Sequence, residues 1–257
     1  MTTTRTSTPV SGVTLGRVIR SEAIKMTGLR STWWLIGSAV VAPIVMTLIW
    51  TISPSDASVE SVLGSATPSS FATLVILVLI GVLIATADAE DHAAIQTYTV
   101  VPRRMLVVAA KFVLAFVISA AIAIVTTLGT FAVADLLLGG GTEVWTPETL
   151  RVLAEIALFE ICATLIALSA ALLLRSTIAA VGVVFAFFYI VPTILGIVPI
   201  DAVNLFGKTI PGAGSAVFYS LTPSPGSLDP TVALITMLLW TAAWIVAAAL
   251  VTNRRDV

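Results

Sequence analysis

Six stretches of predominantly apolar residues, each long enough to cross a bilayer as a helix, dominate this 257-residue chain and leave it little choice of fold. A hydrocarbon core of roughly 30 Å takes about 20 helical residues. Runs of that kind lie near residues 32–52, 70–87, 110–138, 151–174, 177–198 and 230–251, each bounded by polar residues, Gly or Pro. The third is the longest and should tilt or project from the bilayer. The second is short and is expected to begin just after Pro68. Hydrophobic residues make up 58% of the chain and charged ones 11%, with mean hydropathy +1.08. Soluble domains carry about 25% charged residues, so the expectation is an all-α membrane protein of six transmembrane helices.

Lys and Arg set the orientation, because the positive-inside bias counts basic residues and not net charge. Arg5, Arg17, Arg20, Lys25 and Arg30 precede the first span, Arg103, Arg104 and Lys111 follow the second, Arg175 follows the fourth, and Arg254 and Arg255 follow the sixth. Only Arg151 and Lys208 fall on the opposite side, whose loops carry Asp56, Glu60, Glu143, Glu148, Asp201 and Asp229. Both termini are therefore expected in the cytoplasm. Basic residues scattered in small groups do not make a nucleic-acid surface. One cysteine, Cys162, and one histidine, His92, leave neither a disulfide framework nor a Cys or His metal site.

Residues 1–12, MTTTRTSTPVSG, have too little apolar content to order themselves and read as a flexible tail. The first apolar run, Trp33 to Ile52, outlasts the 7 to 15 residues of a signal-peptide core and reads as a retained span. Between tail and span, Leu15, Val18, Ile19, Met26 and Leu29 share a helical face, with Arg17, Arg20 and Lys25 largely elsewhere. That pattern predicts an interfacial helix lying against the lipid bilayer. Trp33 and Trp34 at its junction with the first span fit an aromatic belt.

Residues 88–111, DAEDHAAIQTYTVVPRRMLVVAAK, form the longest cytoplasmic connection and carry charge of both signs. Asp88, Glu90 and Asp91 favour a helix N-terminus there. Two stretches, Arg17 to Trp34 (R-x-x-x-S-E-x-x-K-x-x-x-L-R-S-T-W-W) and the acidic segment ending in Val-Pro-Arg-Arg at Arg104, resemble actinobacterial permeases of the ABC-2 type. The resemblance implies that residues 13–257 are a single ABC-2 type transmembrane domain in a bacterial plasma membrane. It makes the N-terminal amphipathic segment an elbow helix, and the connection after span two a coupling helix docking into a nucleotide-binding subunit. Glu90, Asp91, His92, Gln96, Thr97, Tyr98, Pro102, Arg103 and Arg104 would then form or flank that contact. It further implies two cytoplasmic ATPase subunits, a second copy of this chain or a homologous permease, and export of a hydrophobic or amphipathic compound such as a lipid, drug or antibiotic peptide. ATP and magnesium would sit on the partner, with no cofactor on this chain.

Residues 202–209, AVNLFGKT, match a relaxed phosphate-loop pattern. A working phosphate loop follows a buried strand and opens a helix, so that its amides converge on the anion. Here a membrane span precedes it, Ala202 replaces the first Gly, and the topology puts Lys208 outside. No ATPase site is expected, and the chain reads as the non-catalytic part of a transporter.

Three acids fall within spans: Asp135 near the outer end of the third, and Glu155 and Glu160 in the fourth. A central acid costs about 2.5 to 3.5 kcal/mol on insertion scales, so it faces protein or water. Arg151 is placed to pair with Glu155. Glu160 lies about 140° further round and lines either a path or a dimer interface; the competing role is a neutral carboxyl bonded to Thr164 or another helix. Pro43 and Pro192 should kink spans one and five. Phe185, Phe187, Phe188 and Tyr189 read as packing or lipid-facing residues, and residues 199–229 as an irregular exterior cap; the resemblance to exporters implies that this cap is partly re-entrant. The alternative to an ATP-driven permease is a self-contained secondary transporter or channel coupling ions at Glu160 and Asp135. A membrane enzyme is disfavoured, because a single histidine assembles no nucleophile–base set.

Overall fold

A computed structural model describes residues 14–28, 30–52, 58–87, 104–138, 143–221 and 225–254. Six of its helical spans are long and apolar enough to cross a membrane, so the chain is an all-α, multi-pass membrane protein. Helix α1 (Leu15–Gly28) leads into the first crossing, α2 (Arg30–Trp50). Crossings two to four are α3 (Val59–Thr86), α4 (Arg104–Leu138) and α5 (Pro147–Leu174). The fifth is composite: α6 (Thr177–Phe185), a π turn (Ala186–Ile190) and α7 (Val191–Ile197). Helix α8 (Asp201–Thr209), a short α9 (Pro211–Gly214) and a 3-10 turn (Ser215–Tyr219) intervene before the last crossing, α10 (Pro230–Arg254).

The second span does not begin after Pro68; α3 starts at Val59 and carries Pro68 inside it. Ser58 and Ser61 close a capping box at its start, which fixes the helix ahead of the proline. Hydroxyls that resemble a loop in sequence donate back to their own helix, Ser65 to the Ser61 carbonyl at 2.9 Å and Thr67 to Leu63 at 2.9 Å. In hydrocarbon, backbone groups disturbed by a proline are recovered by such local bonds and by neighbouring helices. Ser65, Ser69, Ser70 and Thr73 are accordingly buried. Helix α4 has 35 residues, about 52 Å at 1.5 Å per residue, well beyond the hydrocarbon thickness.

Helix α5 is the hub, packing against α3, α4, α6 and α10. Gly81 of α3 meets it backbone to backbone: a Cβ there would sit 2.6 Å from the Thr164 carbonyl oxygen. Phe131, Phe159, Phe188 and Phe218 anchor the core on one side of α5, while Leu77, Ile80, Ile84, Ala123 and Leu168 fill the other. At the end where α5 gives way to α6, Arg175 adopts a left-handed backbone (φ 53°) and its amide caps the Ala171 carbonyl. The Thr177 hydroxyl then reaches Thr86 at the end of α3.

Span five departs from helical regularity by the π turn, not by a proline kink alone. Pro192 has no N–H, so the Phe188 carbonyl four residues earlier receives no helical bond from it. Gly212 closes over that carbonyl; a Cβ on Gly212 would lie 1.6 Å from the Phe188 oxygen. Residues 199–229 are not irregular throughout, since α8, α9 and the 3-10 turn occupy most of 201–219, and Ile210, Pro211, Gly214, Val217 and Phe218 are buried against the bundle. Overpacking a buried site costs about 1–3 kcal/mol. Gly81→Ala and Gly212→Ala should therefore lower the thermal unfolding temperature in detergent. Gly182→Ala, where a methyl meets nothing within 4 Å, should leave it at or above wild type.

Candidate functional site

The roots of the long connection after span two are held by a buried ion-pair cluster. Lys111, two turns into α4, places its Nζ 2.9 Å from Glu22 Oε2 on α1 and donates to the Ile84 carbonyl at 2.7 Å. Lys25 takes the other oxygen of Glu22 at 2.7 Å. Glu22 and Lys111 are almost fully buried, at 3% and 2% exposure. The Ile84 carbonyl is among the last four of α3, which have no partner within the helix. A cation there also faces the negative end of the helix dipole. One ammonium thus neutralises an acid and caps a helix, joining α1, α3 and α4.

Lys111 is therefore not a loop charge but a buried residue of α4. A lone charge between two apolar stretches, VVAA and FVLA, is costly in hydrocarbon unless a partner meets it, and α1 supplies that partner. On α1, Val18, Glu22 and Met26 recur every four residues and are the buried ones. Val18 packs on Val107 and Ala110 of α4. Of the residues expected to couple a motor, Glu90, Asp91, His92, Gln96, Thr97, Tyr98, Pro102 and Arg103 lie outside the described residues, as does the tail of residues 1–12. Arg104 opens α4.

The three acids within spans occupy different surroundings. Asp135 accepts the Trp145 indole N–H at 2.8 Å, and Trp145 stands edge-on to Phe131 with ring centres 4.8 Å apart, so this carboxylate ties the end of α4 to the approach to α5. Glu155 Oε1 lies 3.9 Å from Arg151 Nε, the partner its spacing indicates. Glu160 is 1% exposed, and neither of its carboxyl oxygens has a hydrogen-bond partner among the described residues. The Thr164 hydroxyl donates to the Glu160 backbone carbonyl at 2.9 Å, not to its side chain. Burial first, then the adjoining Glu160 carboxylate and Tyr189, push the Tyr219 phenol well above its ordinary range. The 3-10 turn therefore sits beside the acid.

Residues 201–209 are the helix α8 itself and not a loop leading into one. Lys208 donates to the Gly226 carbonyl at 2.6 Å, tying α8 to the turn before α10. The span-five aromatics pack as expected: Phe187 lies edge-on to Trp240 and Trp244 of α10, and Phe188 to Phe159 of α5. No protein-family model matches the chain, and no curated protein matches it.

Removing one partner of a buried pair costs about 3–5 kcal/mol, because the other charge is left buried. Glu22→Gln removes the carboxylate that faces the buried Lys111 ammonium and should destabilise more than Lys111→Met, which leaves Glu22 with Lys25. Combining the two should cost less than the sum of the single changes. Unfolding of the purified chain in detergent, followed by circular dichroism, reads all three.

Proposed function

We propose that this chain is the membrane-spanning subunit of an ATP-driven exporter of a hydrophobic or amphipathic compound, working with a separate cytoplasmic ATPase. One observation carries the reading. The first of the two stretches that resemble ABC-2 type permeases is bonded to the helix that follows the second, since Glu22, itself paired with Lys25, meets Lys111 of α4. Those bonds sit at both roots of residues 88–103, where a coupling segment would leave and re-enter the bundle. A push delivered there by a closing motor moves α3 and α4 together, and α1 with them. Rigid shifts of α3 and α4 against the hub α5 then alternate access to a path between two such subunits. ATP and its magnesium belong to the motor subunit; this chain supplies the docking segment, the levers and the path. Helix α1 acts as the elbow at the inner leaflet.

The self-contained secondary transporter draws support from the unpartnered Glu160. Its second acid, Asp135, is already engaged by Trp145, which leaves that scheme one ion-coupling group.

Expressed with the products of adjacent genes, the chain should bring down an ATPase subunit. Charge reversal at Arg103 and Arg104 should cut the recovered ATPase at least tenfold without lowering the yield of this chain. Transport by the chain alone, with no ATPase recovered, would contradict the reading.

A further inference from the structure

We propose that Glu160, where α5 meets α3 and the 3-10 turn Ser215–Tyr219, is the anchor for the positively charged group of an amphipathic cation. The inference rests on the exporter reading above and narrows its substrate class. Both oxygens of Glu160 are buried without a donor among the described residues, whereas buried polar groups in folded proteins are nearly always bonded. Among the described residues no cation bonds it, Lys111 of α4 being held by Glu22 and Ile84. Helix α3 has no Lys, Arg or His, the only base on α5 is Arg151, more than two turns away and paired with Glu155, and the only one on α10 is Arg254 at its end. The Tyr219 phenol lies beside it.

The surroundings suit a cation with an apolar body. Phe159, next to Glu160, stands edge-on to Phe188 at 5.8 Å, and Phe218 and Tyr219 belong to the same cluster. Aromatic faces attract cations, most strongly where water is excluded. Phe188 lies within the π turn of span five, and such turns recur at functional sites. The proposed approach is from the side of the 3-10 turn. Glu160 shares a helical face with Thr164 and Ala167, against which Gly81 of α3 packs so closely that a Cβ there would lie 2.6 Å from the Thr164 carbonyl oxygen. The 3-10 turn is the element at this junction that is not itself part of a crossing helix.

Tetraphenylphosphonium, a lipophilic cation, and tetraphenylborate, an anion of the same size and shape, separate charge recognition from hydrophobic partition. With the full chain in phosphatidylcholine nanodiscs, tetraphenylphosphonium should bind saturably and tetraphenylborate should not. Glu160→Gln, neutral and nearly isosteric, should weaken cation binding at least tenfold with unchanged elution and unfolding temperature, and Glu160→Asp should retain most of it. Undiminished binding to Glu160→Gln, or no saturable binding to wild type, overturns the proposal and leaves Glu160 as a packing or proton-bearing carboxyl. The measurement needs no ATPase. Failure here with an ATPase recovered from cells removes the cation site alone, and success with no ATPase recovered removes the motor alone.

Discussion

A single ammonium, Lys111, sets the organisation of one end of this bundle. Buried Lys111 meets the Glu22 carboxylate where α1 lies against α4, and Lys25 of α1 takes the other oxygen of the same acid. The third contact, to the Ile84 carbonyl, brings in the end of α3. Three helices distant in sequence are thereby held by groups that are costly to separate. Pairing of this kind contributes little net stability beyond what apolar packing would supply; its consequence is a specific register. The helix before the first crossing is positioned on the roots of residues 88–103, and α3 and α4 cannot slide independently.

The opposite half of the bundle solves a backbone problem. Pro192 frees a carbonyl within a membrane span, the π turn rewinds the chain around it, and Gly212 lets α9 close over it. Residues 210–218 fold inward because the backbone approach at Gly212 and the burial of Phe218 reinforce each other. The same inward fold brings Tyr219 to Glu160. The buried acid and the segment after span five are thus parts of one arrangement.

Much of this was legible in the residues. Six apolar runs gave six crossings, because length and hydropathy are what the bilayer measures. The start of α3 was hidden, because Ser, Thr and Pro read as a loop until their hydroxyls are seen to bond within the helix. Lys111 counted as a loop charge because a topology rule weighs each base by position and is blind to partners. Its isolation between apolar stretches was the available signal, and Glu22, three residues before Lys25, was the acid to match. Glu160 could be placed at depth by counting turns. That nothing bonds it depends on the side chains of other helices, which no spacing encodes. The π turn has no compositional signature beyond the proline that follows it.

Docking and leverage of this kind require that residues 88–103 and both termini face the cytoplasm and that residues 143–146 and 199–229 face outward. The only cysteine, Cys162, is buried in α5 and should stay silent to a membrane-impermeant maleimide. Single cysteines at Glu143, Ser227, Thr97 and Asp256 then report the sidedness of each connection. In intact cells the first two should be labelled, and the last two only after the membrane is opened. Labelling of Thr97→Cys and Ser227→Cys from the same side would contradict the account.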